Sequence, residues 1–139
     1  MSTSINACLA ELKTLLEAAL VPAEAGKVYG FRVLPNLLDK AVSVTFMGGT
    51  PGGKKTGGTG RHLDFAAVIV AQHDGSEAGL EAAEQALNAM ENIIVDTLEP
   101  SRNTLWSACD FHRPSTRPPT PEELRGSRYG EIYFRLDVR

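Results

Sequence analysis

Hydrophobic and polar positions change their spacing several times along this chain, and each change marks an element. From Ser4 to Leu20, Ile5, Cys8, Leu9, Leu12, Leu15, Leu16 and Ala19 recur at helical spacing, with Glu11, Lys13 and Glu17 off that stripe. Ser2, Thr3 and Ser4 are all competent caps, and Pro22 ends the helix at or before Val21. From Gly26 to Leu34 the period falls to two, placing Tyr29, Phe31 and Val33 on one side of a short strand and Arg32 on the other. A second strand follows from Ala41 to Met47, with Val42, Val44 and Phe46 inward and Ser43 and Thr45 outward.

The stretch His62–Leu98 is the largest patterned unit. HLDFAAVIVAQ reads as a strand whose second half is apolar on both faces, fitting a strand covered on both sides or nearly so. DGSE reads as a tight turn in which Asp74 or Ser76 caps a helix, and Glu77 stands three residues after Asp74, as in a capping box. In that helix Leu80, Ala83, Leu87, Met90 and Ile94 form the main seam. Ala82, Ala86, Ala89 and Ile93 widen it, and Pro100 stops it. LWSACDF (105–111) predicts a strand with Leu105, Ser107, Cys109 and Phe111 on one side and Trp106 on the other. The chain closes on a half-buried strand in which Ile132, Phe134, Leu136 and Val138 alternate with Tyr133, Arg135, Asp137 and Arg139.

Two connections stand apart. Residues 48–61 hold seven glycines in 14 positions, a flexible composition suited to a long hairpin loop. Residues 112–121 (HRPSTRPPTP) are proline-rich, stiff and extended, and Thr120-Pro121-Glu122-Glu123 opens a short helical turn ended by Gly126. The elements together predict an α+β fold: one mixed or mainly antiparallel sheet of about four to five strands, with two helices packed on it, in a single domain over 1–139.

Composition narrows the function. The 139 residues are 42% hydrophobic, enough for one domain with its own core. A net charge of −3 argues neither for nucleic-acid binding nor for disorder. No apolar run nears the roughly 20 residues that cross a bilayer, and MSTSINACLAEL does not read as a signal peptide. Two cysteines make no disulfide framework, so the expectation is a soluble protein made in a reducing compartment.

The charge distribution says more. His62–Ser101 carries eight acids and no Lys or Arg, leaving 14 bases against nine acids elsewhere. Glu81, Glu84 and Glu91 form an acidic ridge on the long helix, while seven arginines fall in 102–139. This polarity suits an acidic face meeting a basic face of a neighbour; a solvated helix beside a solvated tail is the other reading. Lys54, Lys55 and Arg61 lie on the glycine-rich loop, where they could reach a neighbouring subunit or an acidic surface.

The motifs argue against catalysis. Gly48 and Gly53-Lys54 satisfy half of a phosphate-binding loop, but Lys55 stands where Ser or Thr is needed, and a strand rather than a helix follows. Cys109 and His112 have a metal-like spacing without a second cysteine pair, and His62 and Asp64 share a strand face only as i and i+2 neighbours. Cys8 lies in the apolar stripe of the first helix, where a buried thiol is inert. No catalytic residue, cofactor site or metal site emerges.

The element order resembles the tail terminator proteins of long-tailed, lambda-like bacteriophages. There a leading helix (INACLAELKTLLEAAL), two strands and a variable loop precede an apolar strand and long helix (HLDFAAVIVAQ, EAGLEAAEQALNAMENIIVDTL). An aromatic-containing strand (LWSACDF) and a closing strand (YGEIYFRLDV) complete the pattern. The resemblance spans nearly the whole chain and rests on element order and hydrophobic pattern. It implies a non-enzymatic virion protein, assembled in the host cytoplasm, forming a ring, usually a hexamer. That ring caps the head-proximal end of the tail tube, stops its polymerisation and presents a surface to the head-side connector. In such a ring, Glu81, Glu84 or Glu91 of one subunit is expected to approach Arg113, Arg117 or Arg128 of the next, and 112–121 to serve as a docking arm. Other readings are a head-completion or minor tail protein and, from a different class, a small nucleotide- or ligand-binding enzyme domain using the glycine-rich loop.

Overall fold

The computed structural model describes residues 4–21, 23–31, 40–50, 61–112 and 127–139; of Thr50, Arg61, His112 and Ser127 only the backbone is described. The elements run α1 (Ile5–Leu20), β1 (Lys27–Tyr29), β2 (Lys40–Thr50), β3 (Arg61–Gln72), α2 (Glu77–Leu98), β4 (Trp106–His112) and β5 (Ser127–Val138). They form an α+β fold around a five-stranded mixed sheet in the order β1-β2-β3-β5-β4. β1 pairs with β2 in parallel, and every other pairing is antiparallel. β3 and β4, joined through α2, run parallel with β5 inserted between them.

Both helices lie on one face of the sheet, α1 over β1 and β2 and α2 over β3 and β5, in contact with each other. The core between the layers holds Cys8, Leu12, Leu16 and Leu20 from α1 and Ala83, Leu87, Met90, Ile94 and Leu98 from α2. Against them stand alternate residues of the strands, among them Val28, Val42, Val44, Leu63, Phe65, Ile69, Ile132, Phe134 and Leu136. A row of phenylalanines crosses four strands at one level. Phe46 meets Phe65 with ring centroids 5.6 Å apart, Phe65 stacks on Phe134 at 5.8 Å, and Phe134 meets Phe111 at 5.4 Å. Gly130, opposite Ile69, preserves this packing, since a Cβ there would fall 2.9 Å from Ile69 Cγ1.

The helix starts are fixed by side chains. Ser4 accepts the Ala7 N–H at 3.0 Å, and Ser76 accepts the Gly79 N–H at 3.0 Å. Of the two candidate caps for α2, Ser76 is the cap. Asp74 supports it, its Oδ1 accepting from the Ser76 N–H at 2.9 Å and the Ser76 Oγ–H at 2.6 Å. Those two bonds hold the Asp74 carboxyl below its ordinary range.

Several expectations are corrected. The first strand is shorter than its alternation suggested and faces the other way: Val28 is buried against α1, Tyr29 is half-buried and Phe31 lies 62% exposed beyond the strand. β2 continues through Gly48 and Gly49 to Thr50, so the glycine-rich stretch begins inside the sheet. A bulge at Met47, with Gly48 at φ +134°, keeps the pairing going. The α2 seam starts at Ala83 and ends at Leu98, while Leu80 is only half-buried. Trp106 and Cys109 share the core face, because a second bulge between Trp106 and Ala108 shifts the side-chain phase of β4 by one. The Trp106 indole N–H donates to Ser101 Oγ at 2.9 Å, and that hydroxyl donates to the Leu98 carbonyl at 2.5 Å, satisfying the buried ring nitrogen. Val33, the remainder of the glycine-rich loop, the proline-rich stretch 113–121 and the short helix expected from Thr120 lie outside the described residues.

Candidate interaction surface

The helix-bearing side of the molecule presents one charged strip. α2 carries Glu77, Glu81, Glu84, Glu91 and Asp96 and no base. Glu77, Glu81 and Asp96 are exposed, and Glu84 and Glu91 are half-buried. Glu84 is already engaged, since the Arg128 guanidinium of β5 forms an ion pair with it within the same chain. Arg128 reaches the helix side because it pairs with Ala71, a core-facing position of β3. The expected meeting of Glu84 with Arg128 is thus made inside one subunit, and Glu81 and Glu91 remain the acids of the ridge that face outward. Arg113, Arg117, Lys54 and Lys55 lie outside the described residues. Arg61 is the first residue of β3, paired with Val138, and so belongs to the sheet rather than to the loop.

The sheet face turned away from the helices has a different chemistry. Its middle is apolar and closely covered: Ala66 and Val70 of β3 are each 3% exposed, level with Tyr133 and Tyr129 of β5. Ser43 is 6% exposed and donates from Oγ to the Phe31 carbonyl at 2.6 Å. Toward one end the face becomes charged. Arg135 of β5 donates to both Asp64 carboxylate oxygens, from Nε at 2.8 Å and Nη2 at 3.4 Å. Asp110 of β4 stands level with Arg135 on the other side. The fork hydrogen bond and the carboxylate charge hold the Arg135 guanidinium more firmly protonated than usual. His62 lies beside the Asp137 carboxylate, its register partner on β5, and the Tyr133 hydroxyl donates to Glu131. The Asp64–Arg135 and His62–Asp137 pairs tie β3 to β5. Met47, extruded by its bulge, is 56% exposed beside them.

The geometry does not assemble a reaction centre from the described residues. Cys109 is buried, and desolvation, with smaller contributions from Asp110 and Glu99, pushes its thiol up to about 12, so it is not a nucleophile near neutrality. The His112 side chain lies outside the described residues, and no group of three or more His, Cys, Asp or Glu among the described residues is arranged around a metal. An open cleft of about 440 Å³ at the start of α2 is lined by Lys40, Gln72, His73, Asp74 and Ala82 among others, with Asp74 already committed to Ser76. A strand, β3, follows the glycine-rich stretch, which leaves no helix N-terminus at the place where a phosphate loop would use one.

Sequence pattern had singled out the helix ridge and the basic loop. It missed the Asp64–Arg135–Asp110 row, whose one sequence signal was a charged residue on the polar side of each of three strands. That signal becomes readable only once β5 is known to lie between β3 and β4.

No family model matches the sequence, and no curated protein is similar enough to match it. Among solved structures, the chain is similar to one from the virion of a native gene transfer agent particle. The two agree with a TM-score of 0.56 at 19% identity, over 97% of this chain and 94% of that one. The likeness is one of fold, and it takes in both helices and the whole sheet.

Proposed function

We propose that this protein is a structural component of a phage-like virion. Copies of it form a closed ring, a hexamer in the family resembled, on the head-proximal end of the tail tube, where the ring ends tube polymerisation and offers the docking surface for the head-side connector. The observation that carries this reading is the two-way coverage of the fold by a virion-particle chain, 97% in one direction and 94% in the other, with no large insertion to house a separate activity. The order of elements along the chain, which resembles the tail terminator pattern, supports the more specific role.

The surface chemistry is consistent with that role. A ring of identical subunits needs two unlike faces that meet head to tail. The outward acids of α2, Glu81 and Glu91, offer one such face; Arg113 and Arg117, the preferred partners, offer the other. Lys54 and Lys55 add a basic loop that can reach the tube or the connector. Exposed interfacial ion pairs weaken as salt rises, because the screening length falls from about 10 Å at 0.1 M to about 3 Å at 1 M.

The test is direct. Purified protein, mixed with polymerising tail tube protein, should bind one end of each tube and arrest growth at a constant length. Tubes that lengthen unchanged in its presence would remove the terminator role.

A further inference from the structure

The two long sides of the sheet end in strands that fit one another. On one side β1 pairs with Ala41–Ser43 of β2, and the Phe31 carbonyl just beyond it still accepts from Ser43 Oγ. From Val44 onward β2 has no strand on its outer side among the described residues. On the other side β4 pairs, among the described residues, with β5 alone. Following the pairings across the sheet, Thr45 is level with Ala66, Tyr133 and His112, and Phe46 with Phe65, Phe134 and Phe111. Gly48 is level with Asp64, Arg135 and Asp110. Among the described residues, the part of β2 without an outer strand and the outer edge of β4 therefore stand at the same height. They also run in opposite directions, since three antiparallel steps separate them.

We infer that β4 of one copy adds to the Thr45–Thr50 edge of β2 in the next, in antiparallel register, so that the sheet continues from subunit to subunit. The phenylalanine row gives independent support. Its two middle rings, Phe65 and Phe134, are fully buried, whereas its ends, Phe46 and Phe111, are half-buried at the two edges. Joining copies in this register sets Phe111 of one beside Phe46 of the next, in the same spacing the row already has inside each chain. The contact is heterologous and uses different strands on its two sides, the kind of contact a closed ring is built from, rather than pairing two copies face to face. Strand β1 itself ends at the level of Ser43, below the level where β4 would lie. This contact rests on the ring reading above, and it makes backbone pairing, not the acidic ridge, the main seam.

The test uses paired cysteines. Thr45→Cys and His112→Cys place thiols at level positions of the proposed ladder. Opposed residues of antiparallel strands lie about 4.5–5.5 Å apart at Cα, within disulfide reach. The native Cys8 and Cys109 are both buried and do not compete. On mild oxidation the double variant should give a covalent ladder ending at the ring number, while each single variant stays monomeric on a denaturing gel. Rings visible by electron microscopy with no ladder would overturn this seam and leave the ring reading standing. Absence of both rings and ladder would overturn both, and dimers from a single variant would mean a two-fold contact and overturn this one. Hydrogen exchange on the unsubstituted protein gives a second readout that needs no variant. Outward amides of 45–50 and 106–112 should slow at least about tenfold in the assembled fraction relative to the dissociated one, and equal exchange in the two fractions would overturn the inference.

Discussion

Truncating Phe134 probes the core where it is most interconnected. Its ring is fully buried, with Phe65 stacked on one side at 5.8 Å and Phe111 tilted against the other at 5.4 Å. Phe134→Ala removes the ring and leaves a void between strands that are held in place by their own ladders, so collapse around it is limited. Substitutions of this kind cost about 3–5 kcal/mol, and two aromatic contacts place this one in the upper half of that range. Against a total stability of about 5–15 kcal/mol, that is a third or more of what holds the fold. With a urea m-value of about 2 kcal/mol/M, the unfolding midpoint should fall by about 2 M. Phe111→Ala, at the half-buried end of the row, should cost about half as much in dissociated chains. Both variants should be compared by urea unfolding followed through far-UV circular dichroism, at one low protein concentration so that assembly does not enter the comparison. Equal midpoints for the two variants, or a smaller shift for Phe134→Ala than for Phe111→Ala, would refute the gradient of burial along the row.

Four further outcomes follow from local chemistry. Ser76→Ala leaves the Gly79 N–H without its cap and should lower stability by about 1 kcal/mol, read from the same unfolding curves. Asp74 has a carboxyl held below its ordinary 3.8 by Ser76, so its contribution is complete at neutral pH and is lost as the pH falls through the lowered value. The gap between the unsubstituted protein and Asp74→Asn should stay constant above about pH 5 and close in acid, and a gap that widened in acid would contradict this sign. Both thiols should resist an aromatic disulfide reagent in the native state and react promptly in denaturant, because Cys8 is fully buried and burial pushes Cys109 to about 12. Glu81→Gln together with Glu91→Gln should reduce the salt dependence of ring assembly, measured by sedimentation. Glu84→Gln should not, since Glu84 pairs with Arg128 inside its own chain.

How much of this was legible beforehand depends on what each pattern encodes. Period-two alternation in Ile132–Val138 specified a strand with one buried face, and the structure places those four residues in the core. It could not specify neighbours, and the insertion of β5 between β3 and β4 is long-range pairing that no local window contains. The faces of β1 and β4 were misread for distinct reasons. In β1, Tyr29 and Phe31 outweighed the single Val28, yet the covering helix α1 packs on Val28. In β4, one extra residue at the bulge reverses side-chain phase, and Trp106 turns inward although spacing put it opposite Cys109. Gly48 and Gly49 looked like linker by composition. Within the strand their lack of side chain serves the bulge at φ +134° and the close approach of β3, where a Cβ on Gly49 would fall 2.7 Å from the His62 carbonyl oxygen. Among the charges, the outward ridge of α2 was plain from helical period, whereas the Glu84–Arg128 pair required the placement of β5 beside the helix.

A chain without an assembled reaction centre among its described residues, folded like a virion-particle chain and carrying unlike edges, has self-assembly as its central prediction. Negative-stain electron microscopy of the purified protein near physiological salt, with sedimentation velocity on the same sample, tests it most directly. Closed rings of one size with a central opening, dissociating to single chains on dilution, are the predicted result. A homogeneous monomer at every concentration, with no rings and no binding to tube ends, would contradict the account.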